Sequence, residues 1–166
     1  MEHTIPALVI AAVLVFGGVV MAGVTNSTVD KVGSSWRDIE AIAEDRLGTE
    51  LSVVSTQVSA PGTDVTVVVR NNGRTSIKEP SLMDLIINYT GLDTTRYSRW
   101  LAYTSGPLQD NTWTVTALAG DFRNPGELDT GEEMTIQIHL NPATAVGPDR
   151  WLVIGTETGI TYSVYF

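Results

Sequence analysis

The chain contains no cysteine and only two histidines among its 166 residues. The missing cysteine excludes a disulfide framework, a thiolate metal site and a cysteine nucleophile. His3 and His139 lie far apart, neither has a neighbouring Ser and Asp pattern typical of a catalytic triad, and two histidines alone do not make a zinc site. The phosphate-binding patterns GxGxxG and GxxxxGK[ST] are also absent. We therefore expect no enzyme activity, no cofactor, and no catalytic or metal-binding residue.

Basic residues are also few, with 10 Lys and Arg against 19 Asp and Glu, which gives a net charge of -9. An acidic chain repels phosphate backbones, so nucleic acid is excluded as a partner. The acidity suits a soluble, exposed extracellular surface. One acidic segment, GELDTGEE at 126–133, leaves calcium binding as an alternative. It lacks the ligand spacing of an EF-hand loop, so a solvated turn before a strand is favoured.

A long apolar run is the dominant feature that the sequence does contain. The 20 residues from Ile5 to Val24 include no charged side chain. The helical pattern then continues into an amphipathic stretch whose apolar residues recur every three or four positions, namely Val29, Val32, Trp36, Ile39, Ala43 and Leu47. A helix from about Pro6 to Leu47 would be about 60 Å long at 1.5 Å per residue. We expect Gly48 to end it in a left-handed conformation.

The apolar run has the length of a membrane span, and a secretory signal and an assembly helix are the alternative interpretations. A secretory signal begins with a basic segment, whereas this chain begins Met-Glu-His. Either Lys31, Arg37 and Arg46 mark a cytoplasmic side, or a basic leader preceded Met1 and was removed, which we favour. The glycines at 17, 18 and 23 are contact points between packed helices or ordinary substitutions in a membrane helix.

We expect the helix to bury its apolar side chains against other copies of itself. The expected assembly residues are Ile5, Leu8, Val9, Ala12, Val13, Val15, Phe16, Val19, Val20, Val24, Val32, Trp36 and Ile39.

From Leu51 the period changes to that of β-strands, with about eight strands separated by Gly, Pro and Asp. The segment MTIQIHL alternates clearly, and the Asn-Gly pair in 71–74 favours a tight hairpin. This pattern predicts an α+β chain in which a long N-terminal hydrophobic α-helix precedes an antiparallel Ig-like β-sandwich head. The predicted division is an assembly helix at 1–48 and a head domain at 49–166.

Two sequons make Asn26 and Asn88 glycosylation candidates, and Asn88 is favoured because packing shields Asn26. Trp36 shares the helix stripe and is expected in helix packing or in contact with the head. The other three tryptophans lie on predicted strands as core residues or subunit contacts. Glycan binding by Trp100 or Trp113, on a tethered extracellular domain, is a further alternative.

An uncharged helix that enters an acidic amphipathic stretch and then a β-sandwich resembles the archaellins. These filament proteins of the archaeal swimming organelle have N-termini related to type IV pilins. The sandwich half is also similar to archaellar accessory proteins that anchor the motor to the surface layer. The matching segments are VTVVVRNNGRTSI and NPGELDTGEEMTIQI. Type IV pilins carry Glu at the fifth mature position, where this chain has Ile5, and archaellins also lack that Glu.

The resemblance implies a structural subunit of an extracellular, cell-surface filament for swimming motility. The subunit would be inserted in the membrane before assembly, would interact with the basal-body and membrane machinery, and would form a homopolymer through its helix. The alternative implied by the same resemblance is a membrane-anchored accessory or stator protein whose sandwich binds a surface-layer or motor component.

Overall fold

The computed structural model describes residues 4–147 and 149–166, except for the side chains of residues 4–11, 19–20 and 22–30. The first element, α1, is an α-helix at Thr4–Gly48. The chain divides into two compact units, Met1–Ala43 and Glu44–Phe166, which we call the stem and the head. The head therefore includes the last turn of α1. The sequence-based division at residues 48 and 49 stays a prediction.

The described part of the head contains eight strands and one short 3-10 turn at Pro80–Leu82. Each strand lies within two residues of a segment that the sequence predicts as a strand. The strands are β1 (Leu51–Val58), β2 (Asp64–Asn71), β3 (Asp84–Thr90), β4 (Arg96–Tyr103), β5 (Thr112–Ala119), β6 (Glu133–His139), β7 (Trp151–Gly155) and β8 (Thr161–Tyr165).

The strands form two packed layers. The first sheet has the order β1-β2-β6-β5, and the second has the order β4-β3-β7-β8. A short parallel pairing of β4 with β5, at Ala102↔Thr112 and Tyr103↔Trp113, joins the two sheets at one corner. All other strand pairs are antiparallel. The predicted β-sandwich is confirmed, but the expectation of a purely antiparallel sheet is wrong at this corner.

One hydrophobic core holds both layers together. Strands β2 and β6 direct alternate residues inward, as the pattern of MTIQIHL predicts. Trp113 of β5 is the largest of the fully buried side chains. The other fully buried large side chains are Ile77, Leu85, Ile87, Tyr89, Leu101, Leu128, Met134, Ile136, Ile138, Leu140 and Leu152. Because the inward residues of both sheets form one cluster, the head is a single packed unit.

The Asn-Gly turn after β2 is not a hairpin, so that prediction is wrong. Strand β2 pairs with β1 and β6, and the chain leaves Asn71 for the other sheet. The Asn71 side chain is buried, and its Nδ2 donates to the carbonyl oxygens of Thr75 and Leu128, each at 2.9 Å. A buried amide that ties two loops together sets this connection, and the local Asn-Gly preference does not decide it.

Candidate assembly surface and the junction loops

The apolar segment of the stem has no polar face among its described residues. Val13, Leu14, Val15 and Phe16 are between 65 and 76% exposed in the single chain. Consecutive residues of an α-helix are rotated by about 100°, so these four side chains surround the helix axis. A helix that is apolar on every side requires an apolar environment on every side. That environment is either lipid or a bundle of other helices.

The amphipathic part of the stem has a narrower apolar stripe. Val32, Trp36 and Ile39 are 50, 68 and 59% exposed, and acidic side chains such as Asp38 and Glu40 flank them. Such a stripe has the spacing of one helix face. It offers a partner an apolar contact on one side only, and the large Trp36 ring is its most extensive element.

Among the predicted assembly residues, the structure exposes Ala12, Val13, Val15, Phe16, Val32, Trp36 and Ile39. The side chains of Ile5, Leu8, Val9, Val19, Val20, Val24 and Asn26 lie outside the described residues. Within the described residues, no helix combines the length and the apolarity that crossing a bilayer requires.

The last turn of α1 is fixed to two loops of the head, the segment 72–75 and the β7–β8 turn. The carbonyl oxygen of Gly48 accepts hydrogen bonds from the backbone N–H groups of Arg74, at 2.8 Å, and Thr75, at 3.1 Å. Arg46 Nε donates to the Thr158 carbonyl at 2.9 Å. The first two bonds satisfy the Gly48 carbonyl, a group that a free helix end would leave unpaired, and the third joins the helix end to the β7–β8 turn. We call the two loops the junction loops.

Two further hydrogen bonds secure the residue that follows α1. The Thr49 hydroxyl donates to the Asp45 carbonyl at 2.7 Å, and Tyr162 Oη donates to the Thr49 carbonyl at 2.9 Å. Gly48 is not among the residues with a positive φ, so the expected left-handed stop is wrong. A Cβ at this position would lie 2.3 Å from Thr75 Oγ1, so the Thr75 side chain would have to move to admit a larger residue.

His139 lies at the opposite end of the sandwich, beside two aspartates. Its Nδ1 is 2.7 Å from Asp64 Oδ1, and its Nε2 is 3.8 Å from Asp110 Oδ1. The hydrogen bond with His139 lowers the pKa of Asp64 below its usual value. Ser59 hydrogen-bonds to Asp64 and not to the imidazole. This arrangement joins a carboxylate to an imidazole across β2 and β6, and it lacks the nucleophile–imidazole contact of a triad.

The acidic segment before β6 is a turn, as favoured, but two of its carboxylates are buried. Asp129 accepts hydrogen bonds from the Ser76 hydroxyl and from Asn124 Nδ2, and these bonds lower its pKa. Glu132 accepts the backbone N–H of Asp129 at 2.9 Å. The expectation of a solvated turn is therefore wrong for these two residues. These oxygens are internal hydrogen-bond acceptors, and the described residues contain no cluster suited to a metal ion.

The favoured sequon lies on the outer side of the second sheet. Asn88 is half-buried in β3, between Ser98 of β4 and Trp151 of β7. Its glycosylation stays a prediction. Trp113 is fully buried, which removes it as a glycan-binding residue, whereas Trp100 is 61% exposed.

Comparison with known proteins gives matches only at the level of structure. No family model and no curated protein sequence matches the chain. The archaellum periplasmic stator protein FlaG from Sulfolobus acidocaldarius matches with a TM-score of 0.55 and 22% identity, over 71% of this chain and 99% of that chain. The archaeal flagellum of Methanospirillum hungatei matches with a TM-score of 0.52 and 13% identity, over 95% of this chain and 90% of that chain.

The chain has an archaellum-related fold. The archaellum periplasmic stator complex FlaF and FlaG, also from Sulfolobus acidocaldarius, matches with a TM-score of 0.54 and 22% identity, over 71% of this chain and 89% of that chain. The resemblance seen in the sequence is thus confirmed for the fold. These neighbours are structural components of the archaellum, one from the filament and two from the stator.

Sequence reasoning missed two features that depend on strand order. The Asp64–His139 pair forms because the first residue of β2 lies opposite the last residue of β6. The junction loops form because the β7–β8 turn lies beside the end of α1. No local pattern signals either juxtaposition, although the polar position of His139 on an alternating strand was visible.

Proposed function

We propose that this chain is a structural, non-enzymatic subunit of an archaellum-type extracellular filament. In this proposal the stems of many copies pack together in the centre of the filament, and the heads form its outer layer. The subunit is inserted in the membrane before assembly, receives contacts from the basal-body and membrane machinery, and serves swimming motility. The observation that carries the proposal is the exposed segment Val13–Phe16, whose side chains are apolar on every side of the helix.

The driving force is the burial of apolar surface. Packing about 20 apolar side chains against other stems removes on the order of 1,000 Å² or more from water, which is worth tens of kcal/mol before costs at about 25 cal/mol per Å². Extraction from lipid and lost freedom of motion offset much of this gain. A contact between different surfaces of successive copies propagates as a helical fibre when its rotation does not close into a ring.

The match to the Methanospirillum hungatei flagellum supports the filament role because it extends over 95% of this chain. The stator matches extend over 71% of this chain. The filament comparison therefore includes most of α1, the element that the proposal uses for assembly. The junction loops fit the same role, since they join the end of α1 firmly to the head.

The second candidate is a membrane-anchored accessory or stator protein, whose head binds a surface-layer or motor component. The observation that favours it is the higher identity of the stator matches, 22% against 13%, together with coverage of 99% of the FlaG chain. In this candidate the stem stays in lipid, and the apolar surface of Val13–Phe16 contacts acyl chains instead of other stems.

A charged residue in the apolar segment tests the assembly role of the stem without changing the sequence of the head. Val13→Asp and Gly18→Arg each place an ion in an apolar environment, which costs several kcal/mol unless it is paired. We expect both variants to abolish fibres in sheared cell-surface material viewed by negative-stain microscopy. Val13→Leu, the matched control, keeps the apolar character and should leave fibres intact. Fibres of normal yield from the Asp and Arg variants would contradict the proposal.

The location of the wild-type protein distinguishes the two candidates. The filament proposal predicts that the chain is recovered in fibres from the sheared supernatant, identified by mass spectrometry. The stator candidate predicts recovery in the membrane fraction as small, detergent-soluble oligomers. The isolated head should be soluble and should not polymerise, and long fibres from it would reverse the roles assigned to stem and head.

A further inference from the structure

The outer faces of the two sheets differ in chemistry. The central strands of the first sheet, β2 and β6, direct seven polar residues and one valine outward: Asp64, Thr66, Val68, Arg70, Glu133, Thr135, Gln137 and His139. This composition is ordinary for a solvated sheet. The second sheet has a different outer surface, which is rich in aromatic side chains.

We call this outer surface of the second sheet the aromatic face. It has one acid and one base among its 14 positions, although the whole chain has a net charge of -9. Those positions are Asp84, Ile86, Asn88, Thr90, Arg96, Ser98, Trp100, Ala102, Trp151, Val153, Gly155, Thr161, Ser163 and Tyr165. Three of these 14 residues are Trp or Tyr, whereas aromatic residues make up 7% of the whole chain, and enrichment of Trp and Tyr is typical of the core of a protein interface.

The large side chains of the aromatic face are held in place and remain accessible. Trp100 is 61% exposed, and its Nε1 donates to Asp84 Oδ1 at 2.9 Å. The guanidinium of Arg96 lies 4.8 Å from the Trp151 ring centre, and the Trp151 and Tyr165 rings are 6.4 Å apart. A preorganised aromatic surface loses little conformational entropy on binding.

We propose that the aromatic face pairs with the aromatic face of a second copy of this chain, about a two-fold axis that runs parallel to the strands. This axis places β4 of one head over β8 of the other, and β3 over β7. The contact is isologous, because each residue pair occurs twice. The pairing goes beyond the proposed function, since an isologous contact closes on itself and does not propagate a fibre.

The arrangement of large and small side chains on the aromatic face favours a second copy of this chain as its partner. The strand register forms two central rows, Trp100–Ile86–Val153–Ser163 and Ser98–Asn88–Trp151–Tyr165. The two-fold axis sets each aromatic residue over a smaller one. Trp100 meets Ser163 of the second copy, Tyr165 meets Ser98, Trp151 meets Asn88, and Ile86 meets Val153. Alternating large and small residues let two sheet faces interdigitate.

The direction of the axis agrees with either candidate function. The last turn of α1 binds the head at the β7–β8 turn, which is one end of the second sheet. An axis parallel to the strands puts this end of both heads on the same side. The last turn of α1, which belongs to the head, then lies on the same side of the pair in both copies. An axis across the strands would place the two ends on opposite sides.

The size of the face predicts a weak pair. A standard interface uses 20–30 residues a side and about 800 Å² per partner, so 14 positions correspond to roughly 500 Å² per partner. Interfaces of this size are transient in free solution. Stems held in one assembly raise the effective concentration of the heads, which is how a weak contact becomes populated.

Cross-linking of the full chain tests the pairing, because the chain has no cysteine of its own. Ala102→Cys and Thr161→Cys lie opposite each other across the two-fold axis, and neither change removes an aromatic residue. The two single-cysteine chains are co-expressed with different tags and treated with a short bismaleimide, since packed sheets lie about 10 Å apart. The matched control pair is Thr66→Cys with Thr114→Cys, on the outer face of the first sheet.

We expect the Ala102→Cys and Thr161→Cys pair to give about tenfold more mixed-tag dimer than the control pair. Adding Trp100→Glu should lower that yield about tenfold, whereas Val54→Glu, at another exposed apolar position, should leave it unchanged. Equal yields from the two cysteine pairs would overturn the pairing. The pairing buries Asn88 and therefore excludes the glycan that its sequon allows, so a glycan on Asn88, detected by mass spectrometry of that peptide, would also overturn the pairing. The same samples are examined for fibres. Fibres that form without the specific cross-link would show that the pairing is wrong and would leave the proposed filament role unaffected.

Discussion

Gly73 occupies a position in the first junction loop where no side chain fits. A Cβ there would lie 2.2 Å from the Gly48 carbonyl oxygen and 2.5 Å from the Glu50 amide nitrogen. Both atoms belong to the backbone, so neither can rotate away. The glycine is therefore needed for the close approach of this loop to the end of α1.

We expect Gly73→Ala to lower the free energy of unfolding of the head by about 1–3 kcal/mol, because the backbone must move to admit the methyl group. The measurement is urea unfolding followed by tryptophan fluorescence. Gly106→Ala is the matched control, since the nearest atom to its Cβ is 3.7 Å away. A Gly73→Ala head as stable as the control would show that the junction loop is loosely packed.

The buried carboxylate of Asp129 makes the stability of the head depend on pH. Hydrogen bonds from Ser76 and Asn124 lower its pKa in the folded state. A lowered pKa gives stability that is present above the unfolded value of about 4 and is lost as the pH falls through the folded value. The dependence on pH is therefore confined to acidic solution, and the stabilisation is fully present near neutral pH.

Asp129→Asn should therefore be less stable than the wild type at pH 7. Between about pH 5 and pH 2, a range that brackets the ordinary carboxyl pKa of about 4, the variant should lose less stability than the wild type. Urea midpoints at several pH values give both quantities. Glu50→Gln, at an exposed position, is the control and should keep the acid dependence of the wild type. An unchanged acid dependence in Asp129→Asn would refute the assignment.

At the scale of elements, the end of α1 is part of the head. Gly48 accepts two backbone hydrogen bonds, and Arg46 and Thr49 contribute others across the junction loops. A head that begins at Glu44 keeps these bonds, whereas a head that begins at Leu51 leaves the N–H groups of Arg74 and Thr75 without their partner.

We expect both heads to fold, with the one from Glu44 more stable by about 2–4 kcal/mol at about 0.5–1.5 kcal/mol per hydrogen bond. Thermal melting monitored by circular dichroism measures the difference. Equal melting temperatures would mean that the last helical turn contributes nothing to the head.

The strands themselves were predictable from the sequence because alternation is a local property. The period of two in MTIQIHL, and likewise in strand β2, follows directly from which side chains enter the core. The order of the strands was not predictable, since it depends on pairing between distant segments. The turn after Asn71 shows why local patterns do not predict the strand order. Its Asn-Gly pair favours a hairpin, but the buried Asn71 amide binds the Leu128 carbonyl and the chain continues to the other sheet.

At the scale of the whole molecule, the sequence indicated an apolar segment and a β-sandwich. The structure adds which surfaces of each are exposed. The exposure of Val13–Phe16 on every side of the helix requires an apolar environment, and the apolar run already implied that need. The aromatic face could not be found in the sequence. Trp100, Trp151 and Tyr165 come from three separate strands and become neighbours only through the register of the second sheet.

The most direct test of the central claim, that stems pack against stems, is cryo-electron microscopy of sheared surface fibres in which mass spectrometry identifies this chain. We predict density for helices packed together at the fibre centre, with sandwich heads around them. Recovery of the chain solely as single molecules or small oligomers in the membrane fraction, and from no fibre, would contradict the account.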